Sequence, residues 1–119
     1  MALLLLNMYG CAALLVGAGA GAGTAVWLSG KLTQEFHASY ERTVEAAKAA
    51  LKSLDLEIKK EEREENVTQL RSEYTDGKEI WIDIRKVAED STKVEVRVGA
   101  VSPDKAASDK ILKRIQAYL

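Results

Sequence analysis

The chain of 119 residues contains very little of three residue types that supply much of protein chemistry: one cysteine, one histidine and one proline. A single cysteine excludes a disulfide bond within the chain. Cysteine and histidine are the usual ligands of transition metals, and the chain has only Cys11 and His37, which lie far apart in sequence. We therefore predict no metal site. His37 precedes a predicted helix and has no partner in the pattern, so we interpret it as a surface residue.

Aromatic residues are also scarce, at 6% of the chain, whereas 17 basic and 18 acidic residues leave a net charge of −1. The two signs are interspersed, and no basic stripe with interleaved aromatic residues occurs. Such a stripe is the usual electrostatic signature of nucleic-acid binding, so the sequence argues against a nucleic-acid partner.

The most informative absence is that of charge from residue 1 to residue 30. In this stretch an apolar run at 2–6 precedes Gly10 and Cys11, and alternating glycine and alanine follow over 17–23. An apolar run followed by a Gly-Cys step resembles the bacterial lipoprotein signal, which implies that Cys11 receives lipid. The segment 12–23 would then be a flexible spacer with a reach of about 20 Å. Several acyl chains on one cysteine suffice as a stable anchor.

Two other interpretations of this stretch remain open. Residues 2–28 are uncharged and long enough to cross about 30 Å of hydrocarbon as a helix. Their glycine spacing would let such helices pack closely and oligomerise in the bilayer. Alternatively, the stretch is an ordinary hydrophobic leader with a buried cysteine. The Gly-Ala tract is no nucleotide-binding loop, because no strand precedes it, and we predict no cofactor.

From Gly30 onward the chain has mixed charge and clear periodicity, and we predict one domain over 30–119, after a leader (1–10) and a tether (11–29). A strand is predicted over 31–36, and a start as early as Val26 stays open, because residues 26–28 favour a strand as readily as a leader. Ser39 then caps an amphipathic helix that Asp55 ends. A second helix begins at the other end of the chain, with Ser102 as its N-cap and Pro103 at its first position.

Alternating apolar residues predict four strands between the two helices, over 56–59, 67–74, 79–85 and 94–98. The charged run 60–66 is interpreted as a solvated hairpin connection rather than a cation or partner site. Between the next two strands, the inward and outward positions fit a three-residue loop in which Gly77 has a positive φ.

For the last hairpin we predict that Ile84 lies opposite Val96. The alternative, Ile84 opposite Val94, would place the like charges of Asp83 and Glu95 against each other, which is destabilising. In the predicted register Trp81 lies opposite Gly99. The same register pairs residues of unlike charge, Asp83 with Arg97 and Arg85 with Glu95.

These elements predict an α+β fold of two layers, with a mostly antiparallel sheet of about five strands in the order β-α-β-β-β-β-α. Both helices would cover one face. The other face is polar, and its candidate interaction residues are Trp81, Arg97, Asp83 and Arg85. An exposed tryptophan among mixed charges is typical of an interface. A structural role, in which Trp81 covers Gly99 and neighbouring aliphatic stems, is the competing interpretation.

The chain resembles an uncharacterised family of small bacterial lipoproteins. The resemblance lies in Gly-Cys-Ala-Ala at 10–13 with the Gly-Ala tract, Ser-Gly-Lys-Leu at 29–32, Val-Arg-Val-Gly at 96–99 and Asp-Lys-Ala-Ala-Ser at 104–108. It implies a place in the cell envelope, with Cys11 as the lipid-bearing residue. Since Ala12 stands where an aspartate commonly retains such proteins at the inner membrane, the resemblance implies the outer membrane, facing the periplasm.

We therefore expect a tethered, non-enzymatic module that binds a protein or another envelope component. One alternative is a transmembrane protein that oligomerises through its glycine-spaced segment. The other is a periplasmic hydrolase, which needs a nucleophile with a base or paired acids in a cleft. Asp83 and Glu95 would form such a pair only in the disfavoured register, so we predict no catalytic residues.

Overall fold

The computed structural model describes residues 24–119, so the predictions for Cys11, for the leader and for most of the tether lie outside the described residues. In chain order the elements are β1 Val26–Leu28, β2 Lys31–Phe36, α1 Tyr40–Ser53, β3 Lys60–Arg63, β4 Val67–Glu73, β5 Glu79–Ala88, β6 Ser91–Val98 and α2 Lys105–Ala117.

The strands form one antiparallel sheet in the order β1-β2-β6-β5-β4-β3, which confirms the predicted α+β class and element order. The sheet has six strands rather than five. The difference is β1, which turns back onto β2 through Ser29 and Gly30, both at positive φ (53° and 80°). β1 lies within the segment 11–29 that the sequence analysis assigned to the tether, so the sheet includes part of that segment.

Both helices pack on the same sheet face, and one continuous core lies between the two layers. The central strands alternate inward and outward residues. Every second side chain is buried in β4 and β6, and in β5 as far as Ile84, beyond which the strand is exposed. The fully buried residues include Phe36, Val44, Ala47, Leu51, Leu70, Ile80, Ile82, Ile84, Val94, Val96, Val98, Ile111 and Ile115.

Helix α1 begins and ends as predicted. The Ser39 side chain accepts a hydrogen bond from the backbone N–H of Arg42 at 3.2 Å, and the helix gives way to Asp55 at φ 61°. The hydroxyl of Tyr40, in the first turn, lies 2.5 Å from Thr68 Oγ1 and 2.9 Å from the carbonyl oxygen of Glu64. These bonds fix α1 against β4 at a buried position.

The predicted strand over 56–59 is wrong, because the strand lies just beyond it, in β3. Leu56 is buried, but the segment around it connects α1 to the sheet. All four β3 residues are exposed, and two of them form ion pairs with α1: Glu61 Oε2 lies 2.9 Å from Lys48 Nζ, and Arg63 binds Glu41. Charged side chains are the usual protection of an edge strand. The charged run is therefore an edge strand followed by its turn.

The β4–β5 loop is confirmed as a three-residue loop. The N–H of Tyr74 donates to the carbonyl of Lys78 at 2.9 Å, which closes the loop around 75–77. Gly77 has φ 92°, the left-handed conformation that such a loop requires of its last residue.

Helix α2 begins two residues later than predicted. Its N-cap is Asp104, whose side chain accepts from the N–H of Ala107 at 3.0 Å. Ser102 and Pro103 belong instead to the connection from β6, because Asp104 is still tied to the sheet through its N–H, which donates to the carbonyl of Val98 at 2.8 Å.

Candidate functional site on the open sheet face

The register of the β5–β6 hairpin decides which charges meet on the polar sheet face, and our predicted register is wrong. Ile84 lies opposite Val94, so that Asp83 faces Glu95 and Arg85 faces Lys93. Trp81 consequently lies opposite Arg97 rather than Gly99.

The turn explains this register. Ala88 pairs with Ser91 across a tight turn, and Val87 is an extra residue that shifts the pairing between Lys86 and Ala88. Such a bulge is invisible to a pattern of alternating residues. Both registers keep the isoleucines and valines inside, so burial does not discriminate between them.

Diagonal ion pairs offset the like charges that face each other. Arg85 Nε lies 3.7 Å from Glu95 Oε1, and Arg71 Nη2 lies 3.5 Å from Glu79 Oε1. The Asp83 carboxylate also accepts a hydrogen bond of 2.8 Å from Gln69 Nε2. Between β5 and β6, like charges therefore face each other directly and opposite charges meet on the diagonal.

Trp81 stands in a basic row, half-buried between two guanidinium groups. The Cζ atoms of Arg71 and Arg97 lie 5.6 Å and 5.8 Å from the centroid of its ring. Arg97 is further held by the β6–α2 connection, because its Nε and Nη2 donate to the carbonyls of Gly99 and Ala100 at 3.2 Å and 2.8 Å. Cations at this distance from an indole are attracted by its ring electrons. The indole and Arg97 are thus positioned together.

A pocket of about 340 Å³ opens beside this indole. Three of the four predicted interaction residues, Trp81, Asp83 and Arg97, line it, whereas the exposed Arg85 reaches it only through its ion pair with Glu95. The other lining residues are not among the predicted contacts. They are Lys31, Gln69, Glu95 and Ala100.

The pocket combines two cations with two carboxylates. Lys31 and Arg97 belong to one row, while Asp83 and Glu95 face each other in the next. Lys31 Nζ forms no ion pair within the part of the chain that the structure describes. Such a site can receive an anionic group on one side and hydrogen-bond donors on the other.

Other chemically active groups lie apart from this pocket. His37 is exposed, as predicted, with its Nε2 3.7 Å from Asp90 Oδ2 at the far end of the sheet. Over residues 24–119 no group of three or more histidine, cysteine or acidic residues is arranged to hold a metal ion. Neither helix of the described range has the length and apolar character needed to span a bilayer.

Comparison with known families matches residues 1–118 to a family described as "Protein of unknown function (DUF3568)". The match extends over nearly the whole chain, as the resemblance inferred from the sequence does. No curated protein matches the chain.

Proposed function

The chain belongs to DUF3568, a family of proteins of unknown function, and from that premise we propose that it is a membrane-tethered envelope lipoprotein whose domain binds a partner without catalysis. The partner contacts the open sheet face at the Trp81 pocket. Cys11 bears the lipid, and the domain faces the periplasm from the outer membrane.

The observation that supports binding is the pocket itself. Its volume of about 340 Å³ lies in the range of small-ligand sites. Its two cations and two carboxylates favour a dipolar group, which presents a carboxylate or phosphate to Lys31 and Arg97 and N–H or O–H donors to Asp83 and Glu95. A peptide terminus with a neighbouring charged side chain, or a zwitterionic small molecule, meets this requirement.

Fluorescence titration of the full chain tests the binding proposal. In a Trp27→Phe background, Trp81 is the sole tryptophan, and zwitterionic dipeptides should change its emission saturably. Asp83→Asn combined with Glu95→Gln should weaken this response about ten-fold. Asp109→Asn on α2, away from the pocket, is the matched control. A response that is equal for simple anions, or unchanged in the double variant, would contradict the proposal.

Mass spectrometry of the protein from its native host tests the tether. We expect a mature N-terminus at an acylated Cys11. An unmodified Cys11 in a chain that still begins at Met1 would instead support the transmembrane alternative. Cys11→Ser should shift the protein from the membrane fraction to the soluble fraction.

Hydrolysis is the second candidate, because the observed register brings Asp83 and Glu95 face to face in the pocket. Paired carboxylates are one of the arrangements that acid–base hydrolysis needs. Both are already engaged, one by Gln69 and the other by Arg85. In a hydrolase screen of the full chain we expect no turnover. An activity that disappears in both Asp83→Asn and Glu95→Gln would replace the binding proposal with an enzymatic one.

A further inference from the structure

Exposed apolar side chains gather at one corner of the sheet. Leu28 is 65% exposed and Val101 is 94% exposed, and Val26 in the same edge strand is 47% exposed. We call these three residues, with Lys31 and Arg97, the β1 corner.

Contacts between two connections hold the β1 corner together. The β1–β2 turn lies against the β6–α2 connection so closely that a side chain at Gly30 would meet Pro103 Cγ at 2.8 Å. Arg97 joins the same place, with its Nη2 bonded to the carbonyl of Ala100, the residue before Val101. Leu28 and Val101 therefore project from adjoining backbone segments that are fixed against each other.

The two charged residues of the β1 corner are both cations, and the carboxylates that share their pocket, Asp83 and Glu95, face each other on β5 and β6. Lys31 lies directly opposite Leu28 in the β1–β2 pair, and Arg97 is the second cation. The other edge of the sheet differs, because β3 consists entirely of charged residues of both signs, as suits an edge in water. Apolar side chains flanked by lysine and arginine are typical of surfaces that enter the headgroup region of a bilayer.

The position of the β1 corner along the chain indicates which surface covers it. No charged residue precedes Lys31, and this uncharged stretch runs directly into β1. A lipid on Cys11 and a membrane-spanning segment both place the start of β1 next to a bilayer. On the proposed tether, only residues 12–25 separate the lipid-bearing Cys11 from β1, which keeps the β1 corner close to the lipid headgroups.

We propose that the β1 corner docks onto an anionic phospholipid surface, with Leu28 and Val101 among the headgroups and Lys31 and Arg97 facing lipid phosphates. This inference rests on the proposed membrane attachment, to which it adds a second, non-covalent contact. Lys31 and Arg97 also line the Trp81 pocket, so the contact would place this pocket at the membrane surface. Lipid phosphates and an anionic ligand would then compete for the same two cations.

The test uses the full chain and attaches it chemically, so that its outcome does not depend on natural lipidation. Because Cys11 is the only cysteine, it can be coupled to a maleimide phospholipid in vesicles of phosphatidylcholine with or without phosphatidylglycerol. Leu28→Trp in a Trp27→Phe, Trp81→Phe background supplies a single tryptophan reporter, and brominated lipids serve as quenchers. The matched reporter is Val87→Trp in the same background. Val87 is 52% exposed and lies beside the β5–β6 turn, at the end of the sheet away from the β1 corner.

We expect the tryptophan at position 28 to be quenched about two-fold or more in vesicles with phosphatidylglycerol, and the one at position 87 to be unaffected. Lys31→Glu should remove most of the quenching, whereas Lys86→Glu, the same charge change elsewhere, should not. Equal quenching at both positions, or none at position 28 with coupling verified, would overturn the docking proposal. It would leave the proposed tether and pocket intact.

Hydrogen exchange on the unsubstituted, coupled chain provides a second measurement that does not depend on the tryptophan variants. Amide protons at 28–31 and 100–102 should exchange more slowly on phosphatidylglycerol vesicles than on phosphatidylcholine alone. Slowing that instead appears in uncoupled protein, and increases with protein concentration, would identify a second copy of the chain as the occupant and would refute the lipid contact.

Discussion

Asp104 connects the sheet to α2. Its backbone N–H bonds to β6, and its ionised carboxylate caps the helix. The backbone N–H of Ala107 holds the pKa of Asp104 below its usual value of 3.8, and the Lys78 ammonium, 3.0 Å away, lowers that pKa further. The same contact raises the pKa of Lys78 above 10.5. Both groups therefore stabilise the fold in their charged forms.

The depressed pKa of Asp104 predicts a specific pH dependence of stability. A group whose pKa is lower in the folded chain adds stability above its unfolded pKa of about 3.9, and this is lost as pH falls through the folded value. Asp104→Asn should lower the melting temperature at pH 7, and its difference from the unsubstituted chain should shrink as the pH falls from about 4 towards 2.

Lys78→Met is the informative companion to that variant. It removes the smaller of the two main causes and leaves the Ala107 N–H in place, so the pH dependence should become weaker without disappearing. Thermal melts of the three chains across this pH range measure the effect. A difference between Asp104→Asn and the unsubstituted chain that is the same at every pH would contradict the assignment.

At the scale of loops, two glycines with the same φ allow the cost of backbone strain to be compared with the cost of a steric clash. Gly77 and Gly99 both have φ 92°, but a side chain at Gly77 would meet nothing within 4 Å, whereas one at Gly99 would lie 2.7 Å from the carbonyl oxygen of Ser102. Gly77→Ala should cost about 1–2 kcal/mol of unfolding free energy. Gly99→Ala should cost at least about 3 kcal/mol, because the obstacle is backbone. If denaturant titrations gave equal losses of unfolding free energy for the two variants, the β6–α2 connection would have to move at little cost to accommodate the new side chain.

The facing carboxylates of β5 and β6 predict a gain in stability on substitution. Asp83→Asn keeps an oxygen that can accept from Gln69 and removes the like charge opposite Glu95. We expect the free energy of unfolding to rise by about 0.2–0.5 kcal/mol, while dipeptide binding at the Trp81 pocket weakens. Asp109→Asn, which disrupts an ion pair with Lys113, should not stabilise the chain. A loss of stability in Asp83→Asn would mean that the carboxylate has a structural role.

The same pair of strands marks the limit of what the sequence predicts about this fold. Features set by a few neighbouring residues, such as the Ser39 cap and the Gly77 loop, follow from local chemistry. The β5–β6 register does not, because a bulge at Val87 and diagonal ion pairs outweigh the direct cross-strand charges. The site depends on longer-range information still. Lys31 enters the pocket because β2 lies beside β6, and no local pattern specifies that neighbour.

At the scale of the whole molecule, the two tryptophans lie on different faces of the sheet, and we expect these faces to have different roles. Trp27 packs against the core from β1, on the side that the helices cover. Trp81 stands on the uncovered side, between Arg71 and Arg97. The inner face therefore holds the core, and the outer face carries the residues that we propose for recognition.

Replacing each tryptophan by alanine in the full chain tests this division. Trp27→Ala removes a half-buried side chain from the core and should cost about 2 kcal/mol of unfolding free energy. Trp81→Ala gives up only two partly solvated cation–π contacts, so it should cost about 1 kcal/mol or less. It should nevertheless abolish the saturable response to dipeptides, measured by calorimetry because the reporter is lost. If Trp81→Ala proved the more destabilising change and left binding intact, Trp81 would be a structural residue. The proposal that the open face binds a partner would then be refuted.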